Sequence, residues 1–223
     1  MQGNTHRIGG MLCALAGYTI LESKGMLIRD VSPLLQLAVI YPFSIYGSVF
    51  PDLDHHEDSI PSHDIVSVGI NKVLHATTVM RKANGGKLRP ILSVFDAKHR
   101  SWQTHSDMFL IICILLSMSF FNSSVMTPND IILKLVFTGF ILGVLSHMIL
   151  DLLTPEGIWC IGLCLIGKIS GSKSLPRKIH FVPKSRFFAT GGVWEKLVRY
   201  VMWVVCSALF IRIVYHMLPY RFI

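Results

Sequence analysis

A histidine and an aspartate stand four residues apart near the end of a long apolar run, in the sequence SHMILDL (146–152). On an α-helix, residues at this spacing lie over one another, so His147 and Asp151 would point the same way. Ionisable side chains inside an apolar segment are costly and mark functional candidates. The pair therefore suggests metal ligands, the alternative being a helix-end histidine paired with its own aspartate.

A second acidic group follows another apolar run, in the sequence PDLDHHED (51–58). Pro51 is expected to end the preceding helix, and in an extended or turn conformation Asp52 and Asp54 would share a side. Two carboxylates held that close repel unless a cation or a proton lies between them. A divalent metal, with His55 as a further ligand, would remove the repulsion. A solvated acidic turn is the alternative.

Two more histidines, His99 and His105, lead into a third apolar run. Thr104 or Ser106 is expected to cap the helix that begins there. Neutral imidazoles at this position would bind a metal, and the neighbouring Arg100 would neutralise a substrate phosphate. Thr104 and Ser106 are as well explained by helix capping alone as by a role in catalysis.

The set of candidate ligands is completed near the N-terminus by His6, which precedes Gly9 and Gly10, two residues that would let another element approach closely. Nitrogen and carboxylate ligands suit zinc, manganese or iron better than calcium or magnesium. One or two ions would activate water for hydrolysis of a phosphoester. The candidate ligands are His6, Asp52, Asp54, His55, His99, His105, His147 and Asp151.

The elements that must position these residues are apolar helices. Of 223 residues, 52% are apolar and 15% charged, and the mean hydropathy is +0.53. This composition excludes a disordered chain, a secreted disulfide scaffold and a soluble nucleic-acid binder. It predicts an all-α, polytopic membrane bundle forming one domain over 1–223. The expected membrane segments are 8–22, 33–50, 107–124, 130–153 and 196–217, with a piece at 157–167 that is too short to span.

The distribution of basic residues predicts the topology. Seven Lys or Arg lie in 61–105 and eight in 168–200, whereas 122–129 contains none. Basic loops stay in the cytoplasm, so we expect the loops at about 56–105 and 168–195 there, in a multi-pass protein of the cell's inner membrane. Every candidate ligand then reaches the cytoplasmic face. The stretch 168–186 is expected to form a loop or short hairpin over the site.

These motifs together resemble the YdjM-type family of membrane-bound metal-dependent hydrolases. The similarity rests on DLDH (52–55), on HR (99–100) followed by THS (104–106), and on LSH (145–147) through DLLTPEG (151–157). An early histidine and TGGVWE (190–195) extend it over about 1–200. The family is distantly similar to zinc-dependent phospholipases C and P1-type nucleases, so the resemblance implies a helical membrane hydrolase. This chain departs from the family in having one extra residue between His99 and His105.

The leading hypothesis is hydrolysis of a phospholipid or lipid-linked phosphate at the membrane surface, which the basic loops would favour by attracting anionic head groups. Asp54, Arg100 and His105 are the candidate catalytic residues, with Asp54 as a base and with Arg100 and Lys98 binding the phosphate. A metal-ion transporter and a non-catalytic membrane adaptor are the alternatives. No nucleic acid is expected as a partner. Glu195 is either a further ligand or, more simply, a charge at a helix start.

Overall fold

The computed structural model describes residues 3–54, 106–121, 127–162, 169, 171, 178–182 and 190–217, leaving aside the side chains of 53, 54 and 119–121. Within these residues the chain is almost entirely helical, as predicted. The elements are α1 (Gly3–Ser23), α2 (Pro33–Val49), a 3₁₀ helix (Phe50–Asp54), α3 (Asp107–Phe121), α4 (Pro128–Leu152), β1 (Ile158–Trp159), β2 (Lys178–Ile179) and α5 (Val193–Met217).

A helix lies at each of the five predicted membrane segments. Three are long and apolar enough to cross a membrane, namely Pro33–Asp52, Pro128–Leu152 and Val193–Met217. Helix α3 is apolar but has 15 residues, which at 1.5 Å per residue is shorter than the roughly 30 Å of a hydrocarbon core. The prediction of a polytopic helical membrane bundle is confirmed.

Local sequence signals account for the helix starts. The Thr127 hydroxyl accepts a hydrogen bond from the Asp130 amide at 3.3 Å, and the Asp130 carboxylate accepts one from the Thr127 amide at 2.8 Å. This reciprocal capping box, with a proline at the first helical position, begins α4. Ser106 caps α3, as predicted for Thr104 or Ser106, by accepting from the amide of Phe109.

Small residues allow α1, α2 and α4 to pack closely. A methyl group added at Gly143 in α4 would overlap the backbone of α2 at Ser44, Gly47 and Ser48. One added at Gly10 in α1 would overlap Ser44 and Ser48 as well, and the Ser44 hydroxyl donates to the Gly10 carbonyl at 2.8 Å. Close contact through glycine and serine is a common way for helices to associate in a membrane. It brings three helices to the same small volume.

A small two-stranded sheet lies beyond the end of α4, where the sequence indicated a short apolar piece. Strands β1 and β2 are antiparallel, with Ile158 opposite Ile179 and Trp159 opposite Lys178. Gly157 has a φ of 62° and packs against the Ile179 carbonyl, so a side chain would fit poorly there. Of the stretch 168–186, predicted to form a loop or short hairpin over the site, the described residues 178–179 pair with 158–159.

Candidate metal centre

Three elements bring ionisable side chains to one end of the bundle. His6 lies in the first turns of α1, Asp52 lies in the 3₁₀ helix that follows α2, and His147 and Asp151 lie in the last two turns of α4. The close packing at Gly10 and Gly143 sets the separation of these elements. Residues that are far apart in the chain thus meet in space.

The four side chains form a compact cluster. The Nε2 atom of His6 lies 3.8 Å from Asp52 Oδ2 and 3.7 Å from Asp151 Oδ1. The Nε2 atom of His147 lies 3.8 Å from Asp52 Oδ1 and 3.4 Å from Asp151 Oδ2. The contact between His147 and Asp151 matches the geometry that their spacing on a helix predicts.

The cluster is largely shielded from solvent. His6, His147 and Asp151 are completely buried, whereas the side chain of Asp52 is 20% exposed. Buried carboxylates and imidazoles are costly unless they are paired or coordinate a metal. Among the four side chains, Asp52 is therefore the one that solvent reaches.

A backbone carbonyl orients His147. Its Nδ1 atom lies 2.7 Å from the carbonyl oxygen of Ser48. Because a carbonyl accepts hydrogen bonds and does not donate them, Nδ1 carries a hydrogen, and Nε2 is the ring nitrogen that remains for a metal. A hydrogen bond of this kind on the second ring nitrogen is typical of metal-binding histidines. The Nε2 atom lies toward the carboxylates of Asp52 and Asp151.

His6 lies near both carboxylates without forming a hydrogen bond to them. Among the residues that the structure describes, neither of its buried ring nitrogens has a hydrogen-bond partner. His6 precedes the predicted membrane segment 8–22, and burial lowers its pKa well below the ordinary value, with His147 acting in the same direction and the two carboxylates opposing it. A neutral imidazole with unsatisfied nitrogens is suited to bind a cation.

The separations also fit a divalent metal. One ligand atom from each of His6, His147 and Asp151 lies within 4.8 Å of the others. Zinc binds nitrogen and oxygen at about 2.0–2.2 Å, so atoms that share an ion lie no more than about 4.4 Å apart. The nitrogen–oxygen distances of 3.4–3.8 Å satisfy this limit, although the 4.8 Å that encloses the whole group is slightly larger. These residues therefore form a group at the helix ends that could hold a metal ion, and its donor atoms leave the identity of the metal open.

Glu195 supports the cluster from α5. It lies in the first turn of that helix, as expected for a charge at a helix start, and it is buried. Its Oε1 accepts a hydrogen bond from the Thr5 hydroxyl at 2.5 Å, and its Oε2 accepts from the Gly191 amide at 2.6 Å. Because Thr5 precedes His6, this contact ties α5 to the first turn of α1. The sequence offered no signal for the pairing.

Of the extended and turn conformations predicted for the acidic segment, the structure shows a turn, because residues 50–54 form a 3₁₀ helix. From this helix Asp52 reaches the two histidines. The remaining predicted site residues lie outside the described part of the chain: His55, Lys98, His99, Arg100, His105 and the side chain of Asp54.

Comparison with known proteins shows the family of the chain. A family model described as YdjM inner membrane protein matches residues 1–218. The description agrees with the inner-membrane location predicted from the apolar segments and the basic loops. No curated protein and no solved structure matches the chain.

Proposed function

The chain belongs to the YdjM family of inner membrane proteins, and we propose that it is a membrane-bound metal-dependent hydrolase of phosphoesters such as phospholipids or lipid-linked phosphates. The observation that carries the proposal is the convergence of His6, Asp52, His147 and Asp151 from three elements on one volume. No residue spacing within a single helix would produce it. A buried group of this composition is typical of a metal centre.

In this proposal the protein supplies the ligands and their orientation. His6 and His147 provide neutral nitrogens, and Asp151 and Asp52 provide oxygens. When bound, zinc or a similar divalent ion makes water more acidic and attracts phosphoryl oxygens. Asp52, the partly exposed member, lies where the substrate would meet the centre. The described chain offers nitrogen and oxygen donors at the cluster, which favours zinc, manganese or iron over calcium.

The position of the cluster supports a lipid substrate. Asp52 and Asp151 lie at the ends of two candidate membrane spans, so the head group of a lipid could reach the centre while its acyl chains stay in the bilayer. The excess of Lys and Arg in 61–105 and 168–200 supports a cytoplasmic orientation. These basic stretches would also attract anionic head groups.

The remaining roles are proposed from the sequence. Arg100 and Lys98 would bind the phosphate, and Asp54 would act as the base. His55, His99 and His105 would complete the ligand sphere. The motifs HR (99–100) and THS (104–106) are included in this site because the chain resembles the YdjM family there. The match of a YdjM family model to residues 1–218 supports that inclusion.

Hydrolysis of defined substrates tests the proposal. The full-length protein, purified in detergent and supplied with zinc or manganese, is assayed on phosphodiester and phosphomonoester substrates, including anionic phospholipids. We expect hydrolysis that is lost in His147→Ala and Asp52→Ala. His216→Ala and Asp30→Asn, at exposed positions, serve as matched controls and should retain it. Metal-loaded wild type that cleaves none of these substrates would contradict the proposal.

The same protein tests the transporter alternative. In the described parts of the two spans that carry the cluster, the acidic residues lie near the helix ends, at Asp52, Asp151 and Asp130. Such a distribution supports a site at the membrane surface rather than an ion path across the membrane. Proteoliposomes that take up metal through the wild type but not through Asp52→Ala, without hydrolysis, would favour transport instead.

A further inference from the structure

The two carboxylates of the cluster each face both histidines. Asp52 presents Oδ2 to His6 and Oδ1 to His147, and Asp151 presents Oδ1 to His6 and Oδ2 to His147, at 3.4–3.8 Å. Each histidine is therefore near one oxygen of each carboxylate. The four side chains form two equivalent sets of one nitrogen and two oxygens.

We propose that this cluster is a dinuclear centre in which Asp52 and Asp151 each bridge two divalent cations. One cation would belong to the set around His6 and the other to the set around His147. The inference rests on the proposed function in taking the cluster as a metal centre. It adds the number of ions and the way in which the ligands are shared.

The orientation of the imidazole rings carries this proposal. The rings of His6 and His147 are stacked, with centroids 3.9 Å apart and planes inclined by 17°. The lone pair of Nε2 lies in the ring plane. Two planes so nearly parallel and so far apart do not meet within the roughly 2.0–2.1 Å of a metal–nitrogen bond. A single ion would therefore lie out of the plane of at least one ring, whereas two ions can each lie in a plane.

The spacing agrees with what paired ions require. In hydrolytic sites with two metals, the ions are about 3.5–4 Å apart, and the rings that would direct them are 3.9 Å apart. Each carboxylate faces one histidine with one oxygen and the other histidine with the second, so that each oxygen could bind a different ion.

The charge balance indicates the class of ligand. Two divalent cations exceed the negative charge of two carboxylates, so the described part of the centre would keep an excess positive charge. Within the described residues each set supplies three protein atoms, so further ligands of the chain and water or substrate would complete the coordination. Both features suit an anionic phosphoryl group that places one oxygen near each ion.

Metal stoichiometry and electron paramagnetic resonance test the inference on the full-length protein in detergent. After equilibrium dialysis against Mn²⁺, we expect about two ions per chain and the spectrum of a magnetically coupled pair. His6→Ala should reduce the content to about one ion, with the hyperfine pattern of an isolated Mn²⁺. His216→Ala, an exposed histidine in α5, should behave like wild type.

The outcomes separate this inference from the proposed function. About one ion per wild-type chain, with an isolated Mn²⁺ spectrum, would overturn the dinuclear centre while leaving a hydrolase intact. A coupled pair in a protein that cleaves no phosphoester would support the dinuclear centre and contradict the hydrolase. Absence of bound metal would overturn both. Because the wild-type spectrum alone decides the number of ions, the test stands even if His6→Ala fails to fold.

Discussion

The imidazole rings of His6 and His147 lie face to face, 3.9 Å between centroids, although the residues belong to the first and fourth helices of the chain. Both rings are completely buried, and both direct Nε2 toward the carboxylates of Asp52 and Asp151. A stack of two buried imidazoles beside two carboxylates is a costly arrangement for a protein without a cation to hold. The stability of the bundle should therefore depend on metal.

Metal removal should lower thermal stability. A ligand that binds only the folded protein stabilises it by about 4 kcal/mol when its free concentration is about a thousand times its Kd. We expect chelation to reduce the Tm of the detergent-purified protein and added Zn²⁺ to restore it. The His147→Ala protein should show no such shift, whereas His216→Ala should show the wild-type response. A Tm that does not change with chelator would argue against a structural metal.

The close packing of α2 and α4 should be necessary for the cluster. In Gly143→Ala, the added methyl group would meet backbone atoms at Ser44, Gly47 and Ser48, which cannot rotate aside as a side chain would. We expect a loss of about 1–3 kcal/mol in stability and weaker metal binding, because Asp52 and His147 move apart. Gly3→Ala is the control, since nothing lies within 4 Å of its added carbon. Equal metal affinity in both variants would show that this contact does not position the ligands.

Glu195 should act as a positioning residue through its hydrogen bonds. Glu195→Ala leaves the buried Thr5 hydroxyl and the Gly191 amide without these acceptors, at a cost of about 1–3 kcal/mol. The first turn of α1 should loosen, and the metal Kd should rise. Glu195→Gln should restore most of the affinity, because the Thr5 hydroxyl can rotate to accept from the amide. If the glutamine variant binds metal as poorly as the alanine variant, the charge of Glu195 matters rather than its hydrogen bonds.

Asp107 should stabilise the segment after β1 without affecting the metal. Its carboxylate accepts from the amides of Ile161 at 2.8 Å and Gly162 at 2.9 Å, and from its neighbour Met108. In Asp107→Asn, an amide NH₂ group replaces one carboxylate oxygen and faces a backbone N–H group that it cannot accept from. We expect the local free energy of unfolding to fall by about 1.5–3 kcal/mol. Hydrogen exchange should accelerate at 161–162 while metal content stays unchanged. A simultaneous loss of metal would show that this segment also shapes the centre.

Much of this site could be predicted because helices impose a fixed geometry. A spacing of four residues determines that His147 and Asp151 share a helix face, and the contact of 3.4 Å follows. The apolar runs and the basic stretches together indicated that Asp52 and His6 reach the same end of the bundle. The close approach of other helices to Gly9 and Gly10 could also be predicted, because glycine has no side chain to keep a neighbouring helix away.

Other contacts depend on tertiary structure that leaves no local pattern. The acceptor for His147 is the backbone carbonyl of Ser48, and any residue type carries a carbonyl. The Thr5–Glu195 contact joins the two ends of the chain with no periodic signal. Strands of two residues, such as Ile158–Trp159, are too short for alternation to be recognised. The roles of His55, Lys98, His99, Arg100, His105 and Asp54 stay predictions.

X-ray absorption at the zinc edge tests the metal centre most directly. The zinc-loaded wild type should show nitrogen and oxygen ligands at about 2.0–2.2 Å, with outer-shell scattering from imidazole that is reduced when His6 and His147 are both replaced by alanine. His216→Ala should leave the spectrum unchanged. Sulfur ligands at about 2.3 Å, or imidazole scattering that is as strong in the double variant as in the wild type, would show that zinc binds elsewhere and would contradict this account.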